Sequence, residues 1–279
     1  MKKKMSDSPR SVPSWVNALI ARAREVDGAP PFSDQSLVDY RSGVRELVAI
    51  GEDAVAIAAP AEAEFVVSPD ARGGGLGTRL LETLLAGGAA LFWAHGDSPA
   101  ARALAASHGL KPVRELLHLV GTVYDKQPSG RVAVDVGGGV IETFVPNKDE
   151  DEWVALNART FAHHPEQGSV TRADLEQLET ESWFSADNFL VLRRDGAMIG
   201  YCWLKVEGGR GEFYVVGVDP DFHGEKLGSL LFDAGLARLA ELGIRDAHLY
   251  VEGDNEPALR LYRARGFAQD SIDIQYAVD

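Results

Sequence analysis

Residues 219–229 read DPDFHGEKLGS, and residues 68–78 read SPDARGGGLGT. Each is a proline turn, then a glycine-bearing loop, then a small hydroxyl residue opening an apolar run, which is how a strand turns into a helix. At an offset of 151, Val67 pairs with Val218, Pro69 with Pro220, Gly73 with Gly224, Leu76 with Leu227, Gly77 with Gly228 and Thr78 with Ser229. At an offset of 157, Gly96-Asp97 pairs with Gly253-Asp254, and His108-Gly109-Leu110 with Arg265-Gly266-Phe267. Landmarks in one order at nearly constant spacing predict two tandem copies of a unit of about 140 residues, an ordinary domain size and far longer than a solenoid repeat. The expected division is 1–125, a linker at 126–139 (KQPSGRVAVDVGGG), and 140–279.

Working outward from the second loop, Val140–Val145 reads as a strand, and DEDEWVALNARTF as a helix with acidic residues over its positive end. A helix near 171–181 follows, then strands through NFLVLRRDGAMIGYCWLKVEGGRGEFYVVGV, the first pair joined at Asp195-Gly196, a hairpin signal. Leu227, Leu230, Leu231 and Ala234 share one face of a helix. HLYVEG is a strand, PALRLYRARG a short helix and SIDIQYAVD a last strand. The order β-α-α-β-β-β-α-β-α-β is an α/β fold with a mixed sheet flanked by helices.

Composition narrows the function. A chain of 279 residues, 45% hydrophobic and 25% charged, is globular and long enough for two cores. The lysines of MKKKMSDSPR have no apolar stretch behind them and no run nears 18 apolar residues, so the expectation is a cytoplasmic protein with no membrane partner. A net charge of −14 argues against a nucleic-acid partner, which needs a basic face. Cys202, the single cysteine, reads as a small buried hydrophobe between Tyr201 and Trp203. His163-His164 near Glu166 is a poor metal site, because adjacent histidines project to different faces; no metal is expected.

A strand-loop-helix turn aims several unpaired backbone N–H groups at one point, an anion site reinforced by the helix dipole. Neither copy carries GK[ST], and Gly73-x-Gly75 lacks a third glycine at Thr78, so the phosphate loops of NTPases and dinucleotide folds do not fit. What fits is R/Q-x-x-G-x-G/A, as Arg72-Gly-Gly-Gly75-Leu-Gly77 and, with His223 and Lys226 as departures, His223-Gly-Glu-Lys226-Leu-Gly228. Lysine resists the left-handed backbone that glycine takes there.

This pattern resembles the pyrophosphate loop of the GCN5-related N-acetyltransferases (GNAT). The stretch LYVEGDNEPALRLYRARGF strengthens the likeness in the second half, and NARTFAHHPEQGS with GEFYVVGVDP is similar to the mycothiol synthase branch of that family. The resemblance implies two tandem GNAT domains, the second catalytic, in a monomer. It implies acetyl transfer from acetyl-CoA, without a metal, to the cysteinyl amine of cysteinyl-glucosaminyl-inositol, a small thiol glycoside, as the last step of mycothiol biosynthesis. Transfer to another amine, or acetyl-CoA sensing without catalysis, are the alternatives.

By the same resemblance Glu212 is the base and Tyr262 the acid. Acetyl-CoA would be held by Val216, Gly217, Val218, His223, Gly224, Glu225, Lys226, Leu227, Gly228, Ser229, Asn255, Glu256, Pro257, Ala258, Leu259 and Arg260. A first-half site would use Val66, Val67, Ser68, Gly74, Gly75, Leu76, Gly77, Thr78 and Arg79. The acceptor would meet Asp34, Glu166, Lys205, Glu212 and Tyr250. The two offsets set Ala105 opposite Tyr262 and Ala61 opposite Glu212, so the first half is expected to bind without catalysing.

Overall fold

The computed structural model describes residues 10–124, 139–164 and 167–278. The expected linker therefore lies outside the described residues, apart from Gly139, and so does Glu166. The chain divides into two compact units: Met1–His118 with Glu252–Asn255 and Gln269–Asp279, and Leu119–Val251 with Glu256–Ala268.

The first unit begins with helices α1 (Ser14–Asp27) and α2 (Asp34–Ser42), the latter capped by the Ser33 side chain accepting from the N–H of Ser36. Strands β1 (Glu46–Ile50), β2 (Ala54–Ala58) and β3 (Glu62–Val67) form an antiparallel meander. Helix α3 (Leu76–Ala86) then crosses to β4 (Leu91–His95), parallel to β3, and α4 (Pro99–Ser107) leads to β5 (Lys111–Thr122), of which Lys111–His118 belong to this unit and Leu119–Thr122 to the second. Leu80, Leu81 and Leu84, one stripe of α3, pack on Ala54, Ala56, Ala63 and Phe92. On the other sheet face Val16, Leu19 and Ala23 of α1 cover Val55, Ile57 and Val66.

The second unit repeats the order. Strand β6 (Gly139–Thr143) precedes α5 (Glu150–Thr160) and α6 (Arg172–Leu178), which starts at a Thr171/Asp174 capping box. Strands β7 (Phe189–Arg194), β8 (Ala197–Glu207) and β9 (Arg210–Val218) are antiparallel, and Asp195 and Gly196 both take positive φ in the expected hairpin turn. Helix α7 (Leu227–Glu241) leads to β10 (Asp246–Glu252), parallel to β9, and α8 (Glu256–Arg263) to β11 (Ala268–Ala277). Trp153 and Leu156 of α5 pack with Phe189, Tyr201 and Trp203 on one face of this sheet. On the other, Phe213 stacks on Phe232 of α7 with ring centroids 4.0 Å apart.

Reading along the chain places the last strand with the second repeat, but from Gln269 it belongs to the first unit. There β11 runs antiparallel to β4, with Ile274 and Tyr276 entering the core beside Phe92.

Candidate active site

The two loops have the same backbone. Each leaves its strand through a short 3-10 turn, Pro69–Ala71 or Pro220–Phe222, and then takes left-handed conformations at Gly73 and Gly75, or at Gly224 and Lys226. Lys226 caps α7 at φ 60°, ψ 20°, where Gly75 caps α3 at φ 81°, ψ 4°. The lysine thus adopts the glycine conformation despite its Cβ. Neither N-cap residue, Gly75 or Lys226, caps its helix through a side chain, so the first-turn N–H groups, those of Leu76, Gly77 and Thr78 or of Leu227, Gly228 and Ser229, are oriented for an anion.

The position occupied by Arg or Gln in the motif has a structural use. The Arg72 Nε–H donates to the carbonyl of Val67 at 3.2 Å, and the His223 Nε2–H donates to that of Val218 at 3.2 Å, so each ties its loop to the end of the preceding strand. Arg72 also grips Asp27 through two 2.7 Å hydrogen bonds, and Glu225 accepts from Arg194 at 2.8 Å. Asn255, Pro257, Ala258, Leu259 and Arg260 lie in the turn before α8 and along it, with the Asn255 N–H bonded to the Glu252 carbonyl at 3.0 Å.

The parallel strands before each loop separate. Pairs are formed at Gly211–Ala247 and Glu212–His248 only, although β9 runs on to Val218 and β10 to Glu252. Past Glu212, β10 no longer pairs with the edge of Val216–Val218, so that edge can take an added strand-like ligand, although the Val218 carbonyl there already accepts from His223. In the first unit Glu62–Leu91, Ala63–Phe92 and Glu64–Trp93 pair before β3 and β4 part. A cavity of about 870 Å³ adjoins that gap, and its lining includes Val66, Val67, Gly75–Thr78, Leu81, Ala105 and Leu110.

Strand β9 carries a bulge: Trp203 pairs with Val215 and Leu204 with Phe213, leaving Tyr214 as an extra residue. This corrects the expectation that Ala61 stands opposite Glu212. Leu91 and His248 correspond at the offset of 157, and their partners are Glu62 and Glu212. The carboxylate counterpart of Glu212 is thus Glu62, and the bulge absorbs the one-residue difference. Glu62 is held by Arg45 at 2.5 Å and by Gln275 at 3.2 Å.

Around Glu212 the sheet gathers polar and aromatic groups. Lys205 is its cross-strand partner on β8 and His248 its partner on β10, with Tyr250 two residues further along the same face. The Trp183 ring stands 5.2 Å from that of Tyr214 and 5.4 Å from the Lys205 ammonium. Burial, with the nearby charges of Glu212 and Glu181, raises the Tyr214 phenol. His248, Trp183 and Tyr214 escaped the sequence reading; Tyr250 came from the family resemblance, and strand alternation from it would have marked His248, whereas no local signal marks Trp183 or the bulge.

Tyr262 lies on the other face of the sheet, buried against Phe232 at 4.9 Å, and burial raises its phenol well above the ordinary value. The base and acid candidates therefore flank the strand gap from opposite sides. Cys202 is fully buried and burial pushes its thiol up, as befits a packing residue and not a nucleophile. Asp34 is the first residue of α2 in the first unit. Asn157 anchors the segment after Glu166, donating to the Gln167 carbonyl at 2.6 Å and accepting from the Tyr201 hydroxyl at 2.7 Å. Among the described residues no three His, Cys, Asp or Glu are grouped to hold a metal, and no helix is long and apolar enough to cross a membrane.

Comparison with known proteins agrees with this architecture. Residues 153–267 match the acetyltransferase (GNAT) family model. The mycothiol acetyltransferase of Clavibacter sepedonicus is 45% identical over 93% of this chain and 90% of its own, and that of Thermobispora bispora is 40% identical over 94% of each. Among solved structures, a GCN5-related N-acetyltransferase from Sphaerobacter thermophilus superposes with a TM-score of 0.71 at 22% identity, covering 98% of this chain and 96% of that one. A tandem GNAT protein of clavulanic acid biosynthesis gives 0.68 at 18% identity and 97% coverage of both. The fold is thus a tandem GNAT fold, and at this identity and coverage the chain belongs to the mycothiol acetyltransferase family.

Proposed function

We propose that the second unit transfers the acetyl group of acetyl-CoA to the cysteinyl amine of cysteinyl-glucosaminyl-inositol, completing mycothiol. The observation that carries this is the strand gap at Glu212–His248, with an uncapped helix N-terminus behind it, a carboxylate on one face and a buried phenol on the other. These residues fit acetyl-CoA: the N–H groups of Leu227–Ser229 with Lys226 suit its pyrophosphate, and the open edge of Val216–Val218 suits its pantetheine arm. Acetyl-CoA supplies an activated acyl carbon.

An α-amine with a pKa of about 7.7–8.0 is only partly free base at pH 7, so its deprotonation costs about 1–1.5 kcal/mol. Glu212 takes that proton, directly or through a water, as the new amide bond forms. A backbone N–H of the open β9 edge holds the carbonyl oxygen as negative charge builds on it. Tyr262, kept protonated by burial, gives its proton to the departing thiolate. With a thiol pKa of about 8.5 the leaving group needs only modest help. Lys205, Trp183, His248 and Tyr250 offer the acceptor a cation, hydrogen bonds and aromatic faces for its rings.

The first unit binds CoA but does not turn it over. Its loop keeps the better motif, yet Ala105 replaces the acid, and the counterpart carboxylate Glu62 is tied to Arg45. Two measurements test the scheme. Glu212→Gln should lower turnover at pH 7 and recover much of the loss near pH 9, where solvent supplies free amine; a defect constant across that range would leave Glu212 a positioning role only. Gly228→Asp, which places a negative charge in the second loop, should abolish acetyl transfer, and substantial residual activity would assign catalysis to the first unit. Assayed side by side, the cysteinyl glycoside should outpace an aminoglycoside and a peptide N-terminus.

A further inference from the structure

In the second unit the corner behind the strand gap is filled by four aromatic rings. Phe213, Phe232, Tyr262 and Phe267 pack with centroids 4.0–6.1 Å apart. Their first-unit counterparts, by the offsets of 150, 151 and 157, are Ala63, Leu81, Ala105 and Leu110. Two alanines and two leucines thus stand where the second unit has four rings, and three of them, the buried Leu81, Ala105 and Leu110, line the 870 Å³ cavity. Phe92 and Tyr276 also line the cavity, as do the more exposed Gly75 and the first turn of α3, Leu76–Thr78. One continuous space therefore runs from an anion-binding helix terminus, past a gap between parallel strands, into an apolar corner. An apolar recess of this kind gains by taking up hydrocarbon in place of water.

We propose that the first unit is a binding site for CoA thioesters whose acyl chain is longer than acetyl, with the chain lying in the corner vacated at Ala105. This rests on the reading that the first loop binds CoA. An acetyl group would stop near the strand gap, whereas a chain of six to eight carbons extends against Leu81, Ala105 and Leu110.

The test is calorimetric titration of the full chain carrying Gly228→Asp, which leaves the first loop as the remaining CoA site, with CoA, acetyl-CoA, hexanoyl-CoA and octanoyl-CoA. Each buried methylene should tighten binding by about two- to fourfold, so with four more of them hexanoyl-CoA should bind at least about tenfold more tightly than acetyl-CoA. Adding Ala105→Phe should remove that advantage and leave CoA itself bound as before. Leu81→Phe narrows the same corner from α3 and gives the same readout if the Ala105 variant does not fold. CoA binding that is indifferent to chain length, or a loss on Ala105→Phe equal for all four ligands, overturns the acyl-chain inference alone. Failure of every ligand, CoA included, to bind the folded Gly228→Asp protein overturns the first-loop reading and the inference with it.

Discussion

Lys226 pays for its place at the head of α7 with a left-handed backbone, a conformation costing a residue with a Cβ about 1–2 kcal/mol. Lys226→Gly relieves that strain but loosens the unfolded chain by about 0.4–1 kcal/mol. The expected result is a net gain of up to about 1.5 kcal/mol, read as a higher melting temperature, with weaker CoA binding because the ammonium is gone. A lower melting temperature would show that the lysine side chain holds the loop. His95 offers a second residue-scale test. Burial alone would lower its pKa, but Asp273 at 2.8 Å and Glu64 at 3.3 Å outweigh burial and raise it to about 10. A raised folded-state pKa contributes stability that is complete below the unfolded value of about 6.5 and is lost as pH climbs through 10. The melting temperature should therefore fall between pH 7 and pH 10, and His95→Gln should flatten that fall. Of these residues only the loop pattern was legible in sequence; the His95 cluster joins positions 31 and 178 residues apart, which no local pattern reveals.

At the scale of elements, helix α7 lies so close to the sheet that a Cβ on Gly235 would sit 2.6 Å from the Phe213 ring and 2.9 Å from the Cys202 sulfur. Alanine is the better helix former by about 1 kcal/mol, yet overpacking at a fixed contact costs about 1–3 kcal/mol. Packing wins: Gly235→Ala should destabilise the protein by up to about 2 kcal/mol in chemical denaturation, and equal or greater stability would mean the helix can shift outward. The bulge in β9 shows what element-level sequence reading misses. Periodicity placed EFYVVGV as a strand and set Glu212 at its start, but the extra residue Tyr214 is defined only by its pairing with β8. Without that pairing the repeats align one residue out of step before the loop, which hid Glu62 as the counterpart carboxylate.

For the whole molecule the consequential strand is β11. Its pairing with β4, the burial of Ile274, Gln275 and Tyr276, and the bonds from Asp273 to His95 and the Gly96 N–H complete the first unit. A fragment of residues 1–124 therefore lacks an entire strand of its own sheet. It should show no cooperative thermal transition, and a peptide spanning 268–279 should restore one in trans. Cooperative unfolding of the fragment by itself would show that β11 is dispensable to that core.

The sequence by itself determined the duplication, the order of elements, the two anion-binding loops and the family resemblance, because each depends on short-range spacing: turns, capping, period and the steric freedom of glycine. Tertiary structure alone decided which strand β11 joins, where β9 bulges, that His248 and Trp183 stand beside Glu212, and that a cavity opens at Ala105 where the second unit has Tyr262. Those outcomes turn on hydrogen-bond pairing and side-chain volume between residues distant in the chain. Local spacing holds no record of either.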